Sequence, residues 1–233
     1  MGRSLKPMTS ARGMGSLPVL VEEREGTRSL QRLFDRIDLP LSVISETDHR
    51  LPLDDLTDLF EDAALTTGDP LFGLTVGTAM ADKFGKWVDY ARSAPTLGAH
   101  LDRASRVLGY HQSGTRLDLA VEGPVARYSY HVPVRAAHGA RQHLEHTIPA
   151  LLASFRCYGG EAWQPLRIEV GYGGDRRLAA VEDALGIPVQ ANCAALALVF
   201  PASDLGLRRR DGESNGPHLT WSDMKARVRQ RPP

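Results

Sequence analysis

The chain is poor in the residues and patterns that mark specialised protein classes. Its 233 residues include only two cysteines, Cys157 and Cys193, too few for a disulfide framework or a four-cysteine zinc site. The longest apolar run, Ala194 to Phe200, falls far short of the roughly 20 residues that cross a bilayer. Basic residues open the sequence, but no apolar stretch of signal-peptide length follows them. There is no internal repeat, Walker loop, Gly-x-Ser-x-Gly elbow, His-Glu-x-x-His pair or glycine-rich fingerprint after a strand. These absences leave the expectation of a soluble, cytoplasmic protein that has no membrane partner, holds no cofactor and is not an enzyme.

Net charge is absent too, but only in total. Lysine plus arginine and aspartate plus glutamate both number 28. Residues 1–12 hold Arg3, Lys6 and Arg12 and no acid, a charge of +3. Residues 208–233 carry +4, and the body between them, 13–207, carries −7 from 18 basic and 25 acidic residues. An acidic body is a poor footprint for nucleic acid, whose phosphates require a positive surface.

What is present reads as three segments. Residues 1–18 mix Gly, Ser, Pro and charge without periodicity and are expected to be disordered. Residues 19–207 form the folded body, and 208–233 a basic linker or tail. Within the body, Leu30, Leu33, Phe34 and Ile37 recur at helical spacing from Arg24 onward, until Leu39-Pro40 ends the run. Pro52 followed by Asp54 and Asp55 opens a second helix. Asp69-Pro70 caps a third, a fourth spans about 86–93, and a fifth follows Pro95-Thr96. The period then changes to two. Leu117, Leu119 and Val121, and after Gly123-Pro124 the run Ala126, Tyr128, Tyr130 and Val132, predict an antiparallel hairpin. A long helix over about 138–158, kinked or broken near Pro149, precedes a strand over 166–170, a helix over 176–185 and a last strand over 196–200. The expected fold class is α+β: an N-terminal helical half packed on a small antiparallel sheet with one long covering helix.

The residues suited to line a ligand pocket are aromatic or polar and sit where helices meet the hairpin: Trp87, Tyr90, Tyr110, His111, Tyr128, Tyr130 and His131. Aromatic residues at these spacings serve equally as core packing. His138, His143 and His146, with Glu145 between the last two, suggest metal-assisted hydrolysis or isomerisation as an alternative, since positions 143 and 146 share a helix face. The ligand spacing is incomplete, and hydrogen-bonded or solvated histidines account for it as well. Arg208-Arg209-Arg210 and the Lys225–Arg229 stretch could touch phosphate but come with no helix-turn-helix.

Four strings, in order, resemble the N-terminal effector domain of AraC-type transcriptional regulators, the arabinose-binding-domain type. They are Arg50-Leu51-Pro52-Leu53; Leu65-Thr66-Thr67-Gly68-Asp69-Pro70-Leu71-Phe72-Gly73-Leu74 with Gly77 beyond; Ser93-Ala94-Pro95-Thr96-Leu97-Gly98; and Gly186-Ile187-Pro188-Val189 with Asn192. Trp163-Gln164-Pro165 ahead of a strand also fits, whereas Gly171-Tyr172-Gly173-Gly174 departs from the family's usual strand end. The resemblance implies a module that binds a small-molecule effector, forms homodimers and controls a DNA-binding domain of two helix-turn-helix units. That domain is expected to lie outside this chain, so DNA would be reached only through it. A truncated regulator that acts by pairing with intact homologues is the remaining alternative.

Overall fold

The computed structural model describes residues 6–80, 85–133, 140–174 and 176–210, together with Ser222. Strand β1 (Met8–Ser10) pairs antiparallel with β2 (Arg50–Pro52). Helices α1 (Leu17–Glu25), α2 (Thr27–Arg36), α3 (Leu53–Thr67) and α4 (Phe72–Met80) build the helical half. Helices α5 (Lys86–Arg92) and α6 (Leu97–Val107) lead to strands β3 (Arg116–Glu122) and β4 (Val125–His131). The long α7 (Arg141–Gly159), β5 (Arg167–Glu169), α8 (Arg176–Leu185), β6 (Val189–Gln190) and β7 (Leu196–Pro201) complete the described chain. The main sheet runs β3-β4-β7-β5-β6 and is antiparallel except for β5 with β6. The α+β arrangement predicted from the change of period is therefore the observed one.

Residues 6–18 correct the expectation of a disordered N-terminus. The segment consists of a strand, a 3-10 turn over Ala11–Met14 and the start of α1, and it buries Ala11, Met14 and Leu17. Each piece is too short to show a hydrophobic period, which is why the sequence looked patternless. Residues 1–5 lie outside the described residues. The helix predicted from Arg24 onward is α2, and an unpredicted helix, α1, precedes it: Gly26, at φ 80°, ends α1 and admits a turn that a β-carbon would disfavour. Helix α7 runs continuously through Pro149, so the break expected there as an alternative to a kink does not occur. Its own buried face holds Ile148, Leu152 and Phe155 against the sheet, so packing sustains the helix across the lost donor.

Two apolar clusters meet at α7. One gathers α1 to α4 around Phe34, Phe60 and Phe72. The other joins α5, α6 and α7 to the inner face of the sheet through Tyr128, Phe155 and Phe200. Phe155 packs edge-on to Phe200 at 5.0 Å between ring centres and stacks on Trp163 at 4.7 Å. On its other side α7 touches α4 without intervening side chains. A β-carbon on Gly73 would overlap the Gln142 carbonyl oxygen, and one on Gly77 that of His146. The Gln142 side chain locks this approach. Its Oε1 accepts from Gly73 N at 2.7 Å and its Nε2 donates to the Pro70 carbonyl at 3.2 Å. Glu61 Oε1 accepts from Gln142 N at 2.7 Å, placing a carboxylate at the positive end of α7.

The start of the expected basic tail is docked on the body. Leu97 N donates to the Leu207 carbonyl at 2.9 Å, Arg209 N to Pro95 at 3.2 Å and Arg210 N to Cys157 at 3.1 Å. Beyond Arg210 only Ser222 is described, so Trp221 and the Lys225–Arg229 stretch lie outside the described residues.

Candidate functional site

A cavity of about 80 Å³ lies where α5, α6 and α7 face β3 and β4. Its position follows from local sequence. Thr96 caps α6 by accepting from Ala99 N at 3.3 Å, and this directs Leu101, Ala104 and Leu108 toward the sheet. The two-residue rhythm of the hairpin turns Leu117, Tyr128 and Tyr130 to the same side, with Leu117 opposite Tyr130 in register. Helix α7 contributes His143, Thr147, Ala150, Leu151, Ser154 and Phe155. Several of these are small for a buried stripe, so helix and sheet do not close completely against each other.

A chain of polar contacts crosses one wall. Thr9 Oγ1 donates to Gln112 Oε1 at 3.4 Å, which orients the amide so that Gln112 Nε2 donates to Tyr130 Oη at 2.6 Å. The Tyr130 hydroxyl lies 3.3 Å from His143 Nε2. Tyr128 Oη donates to the Leu101 carbonyl at 3.3 Å. The His111 ring stacks on Trp87 with centres 5.5 Å apart, and His146 Nε2 lies 3.0 Å from Met80 Sδ.

The four histidines of the lining are held neutral. Burial pulls His100 and His143 down to about 4 and His111 to about 3. Burial likewise holds His146 well below the ordinary 6.5, with His143 and His111 adding to the effect. Burial also raises the Tyr128 and Tyr130 hydroxyls, so both stay protonated. Among the described residues the lining contains no carboxylate, ammonium or guanidinium. The pocket is apolar, uncharged and studded with ring nitrogens.

Of the seven residues proposed from sequence, Trp87, His111, Tyr128 and Tyr130 line this cavity together. Three do not. Tyr90 lies half-buried beneath the Arg103 guanidinium, 5.3 Å from its ring centre. Tyr110 is outside the lining, and its carbonyl accepts from Arg50 Nη1 at 3.3 Å. His131 faces the opposite side of the sheet, 3.2 Å from Asp118 Oδ2, beside a second depression that includes Arg141 and Tyr172. The sequence reading missed His100, Gln112, Thr147, Ala150 and Ser154, and weighed His143 as a metal ligand or a hydrogen-bonded or solvated histidine but not as part of the pocket. The available signal was the series 143, 147, 150 and 154, a helical stripe of small or polar residues on an otherwise apolar helix.

The metal alternative is not supported by the geometry. His143 and His146 do lie close, with ring centres 5.8 Å apart, but both are buried. Glu145 points away, where its oxygens accept from Tyr172 Oη at 3.0 Å and Arg177 Nη2 at 2.7 Å. His138 lies outside the described residues. Among the described residues no three His, Cys, Asp or Glu side chains gather as metal ligands. No described helix is long and apolar enough to cross a membrane.

No curated protein matches the chain. Among solved structures, the transcriptional regulator CdpR from Pseudomonas aeruginosa aligns with a TM-score of 0.50 and 20% identity, over 78% of this chain and 56% of that one. This chain therefore spans just over half of that regulator's length. A Cs H-NOX mutant carrying 4-cyano-L-phenylalanine at site 5 aligns with a TM-score of 0.49 and 12% identity, over 82% of this chain and 93% of that one. Residues 28–208 match the arabinose-binding domain found at the N-terminus of AraC transcription regulators. The match takes in α2 to α8, the second apolar cluster, the first from Leu30 onward and the cavity wall from Trp87 to Phe155, and the chain belongs to that family.

Proposed function

We propose that this domain senses a small-molecule effector in the cavity between α7 and the hairpin and passes its occupancy to the segment 207–210. The observation that carries the reading is shared structure. Helices α5 and α6 form one wall of the cavity, and the same helices hold the exit of the body. Thr96 bridges Arg208, Leu97 N donates to Leu207, and Arg209 Nη1 donates to the Arg92 carbonyl at 2.9 Å. At about 80 Å³ the cavity is smaller than the roughly 150 Å³ in which an engineered apolar cavity takes benzene. A ring-sized effector must therefore push its walls apart. With α7 fixed against α4, the yielding wall is α5 and α6, and residues 207–209 move with it, while Arg210 N is tied to the Cys157 carbonyl of α7, so the displacement falls on the junction between Arg209 and Arg210. In a regulator-length protein this displacement would bias a DNA-binding unit that follows.

Screening metabolites by thermal shift tests the sensor role, since a ligand at 100 times its Kd stabilises by about 2.7 kcal/mol. A hit should also change amide exchange at Arg209 and Arg210. A broad panel without hits would count against the reading, and a hit that left those amides untouched would remove the output path.

The homodimer is proposed through β3, which forms one edge of the sheet among the described residues. On its inner face Leu119 and Val121 are 39% and 53% exposed. Antiparallel pairing with a second copy about Leu119 places Arg116 opposite Glu122 and Leu117 opposite Val121, so charge and apolar surface both match. Leu119→Lys should shift a dimer to monomer in light scattering. An unchanged dimer would place the interface elsewhere.

A further inference from the structure

We infer that the cavity takes an uncharged, mainly apolar molecule of about one ring that presents a hydrogen-bond acceptor to Trp87 Nε1 and His143 Nδ1. This rests on the reading of the cavity as the effector site. Two features of the lining set the class. One is the absence of any ionised side chain among the described residues that form it. The other is a pair of buried N–H groups that the described residues leave without an acceptor.

The indole nitrogen of Trp87 can only donate. It is buried and has no partner among the described residues. His143 reaches the same condition through its neighbours. Gln112 Nε2, a donor, occupies the Tyr130 oxygen at 2.6 Å, and Tyr130 has one proton of its own to give. Assigning that proton to His143 Nε2, 3.3 Å away, satisfies every group in this run and makes Nε2 the bare nitrogen of a neutral ring. The ring proton therefore sits on Nδ1, which is buried without a partner among the described residues. An unmet buried N–H is rare in folded proteins and costly to maintain. Two such groups, on residues that line one cavity, call for acceptor oxygens from a ligand seated there. His100 is different: its ring bonds the Ala91 carbonyl and leaves Nδ1 unpartnered as a lone pair, a lesser cost.

The choice of an uncharged ligand follows from desolvation. A carboxylate entering this lining would lose water and meet no cation within it, an arrangement proteins avoid. The arginines nearest in charge to His111 are Arg50 and Arg12. Arg50 is committed to the Met8, Tyr110 and His111 carbonyls at 3.0, 3.3 and 2.6 Å, and Arg12 to Thr47 Oγ1 at 2.9 Å. Aliphatic and aromatic walls from Leu101, Leu108, Leu117 and Phe155 supply the apolar surround.

Three probes of similar size separate the possibilities: acetophenone is neutral with an acceptor, ethylbenzene is neutral without one, and benzoate is charged. Each is titrated into the full chain and followed by the indole N–H resonances. Trp163 Nε1, bonded to Asp204 Oδ2 at 2.9 Å, serves as the internal control. Acetophenone should bind about fivefold more tightly than ethylbenzene, the worth of one net hydrogen bond, and more tightly still than benzoate. The Trp87 N–H should move downfield while that of Trp163 stays. Trp87→Phe keeps a ring in the wall and should narrow the advantage of acetophenone over ethylbenzene, with His143 Nδ1 left as the remaining donor of the pair. Equal binding of acetophenone and ethylbenzene to the wild type, or tightest binding of benzoate, would overturn the assigned class and leave the site standing. Absence of binding by all three would overturn both the class and the site.

Discussion

Helix α7 has two faces, and they are built in opposite ways. Toward α4 it comes so close that two glycines touch its backbone carbonyls and a glutamine side chain stitches the two helices together. Toward the hairpin it stands off, leaving a cavity with a row of small or polar side chains beneath it. Both faces are buried and both belong to the same helix, so hydrophobicity alone does not distinguish them. What differs is complementarity. Close contact fixes the position of α7, and the gap gives the facing wall somewhere to go. A sensor needs both, because a ligand can displace a wall only relative to something that stays put.

The largest effect should come from the close face. Gly77→Ala puts a methyl group into the His146 carbonyl oxygen, which is backbone and cannot turn aside. Overpacking of this kind costs about 1–3 kcal/mol or more, and chemical denaturation should show it. Stability unchanged from wild type would mean that α4 and α7 are free to separate, and the contrast between the faces would be lost.

Next comes pH, which acts on the cavity side. Unfolded histidines take up protons near 6.5, whereas His100 and His143 do so near 4 and His111 near 3. Between those values the unfolded chain binds more protons, so stability falls as pH drops from 6.5 toward 4. The slope is up to about 1.4 kcal/mol per pH unit for each histidine. Melts at a series of pH values should show it, and His100→Gln should make it shallower. A flat profile over that window would mean that these rings are already solvated.

Filling the gap should be a smaller perturbation. Ala104→Leu extends an apolar side chain into open space, and stability should stay within about 1 kcal/mol of wild type, while acetophenone binding is lost. A cost as large as that of Gly77→Ala would show the two faces to be equally tight. The smallest effect belongs outside both clusters. Glu169, on the outer face of the sheet, is raised by burial but held below its ordinary value overall by Arg127 and Arg167. Glu169→Gln should lower stability by less than about 1 kcal/mol, because the arginines remain solvated.

Much of the fold was legible in the sequence, because period carries it. The hairpin, the turn at Asp69-Pro70 and the helices from 53 to 107 follow from spacing and turn residues. The N-terminal strand and 3-10 turn were hidden by their brevity, and β6, two residues long, for the same reason. The site was half legible. Trp87, His111, Tyr128 and Tyr130 are aromatic residues at the junction of helix and hairpin, and chemistry alone picks them out. Tyr90 and His131 satisfy the same criterion but face away, since parity on a short helix or strand end is decided by neighbours distant in sequence. Ala150, Ser154 and Thr147 matter because they are small, and a cavity is announced by what a stripe lacks more than by any residue it contains. Nothing in the spacing of His143 showed that Tyr130, itself bonded to Gln112, would lie against its ring.

Methyl-resolved NMR during an acetophenone titration tests the two-faced account most directly. Methyl resonances of Leu101, Leu117 and Leu151 at the cavity should shift saturably, while those of Leu33, Leu56 and Val76 in the helical cluster stay in place. Equal movement of both sets, or movement of the helical cluster alone, would contradict it.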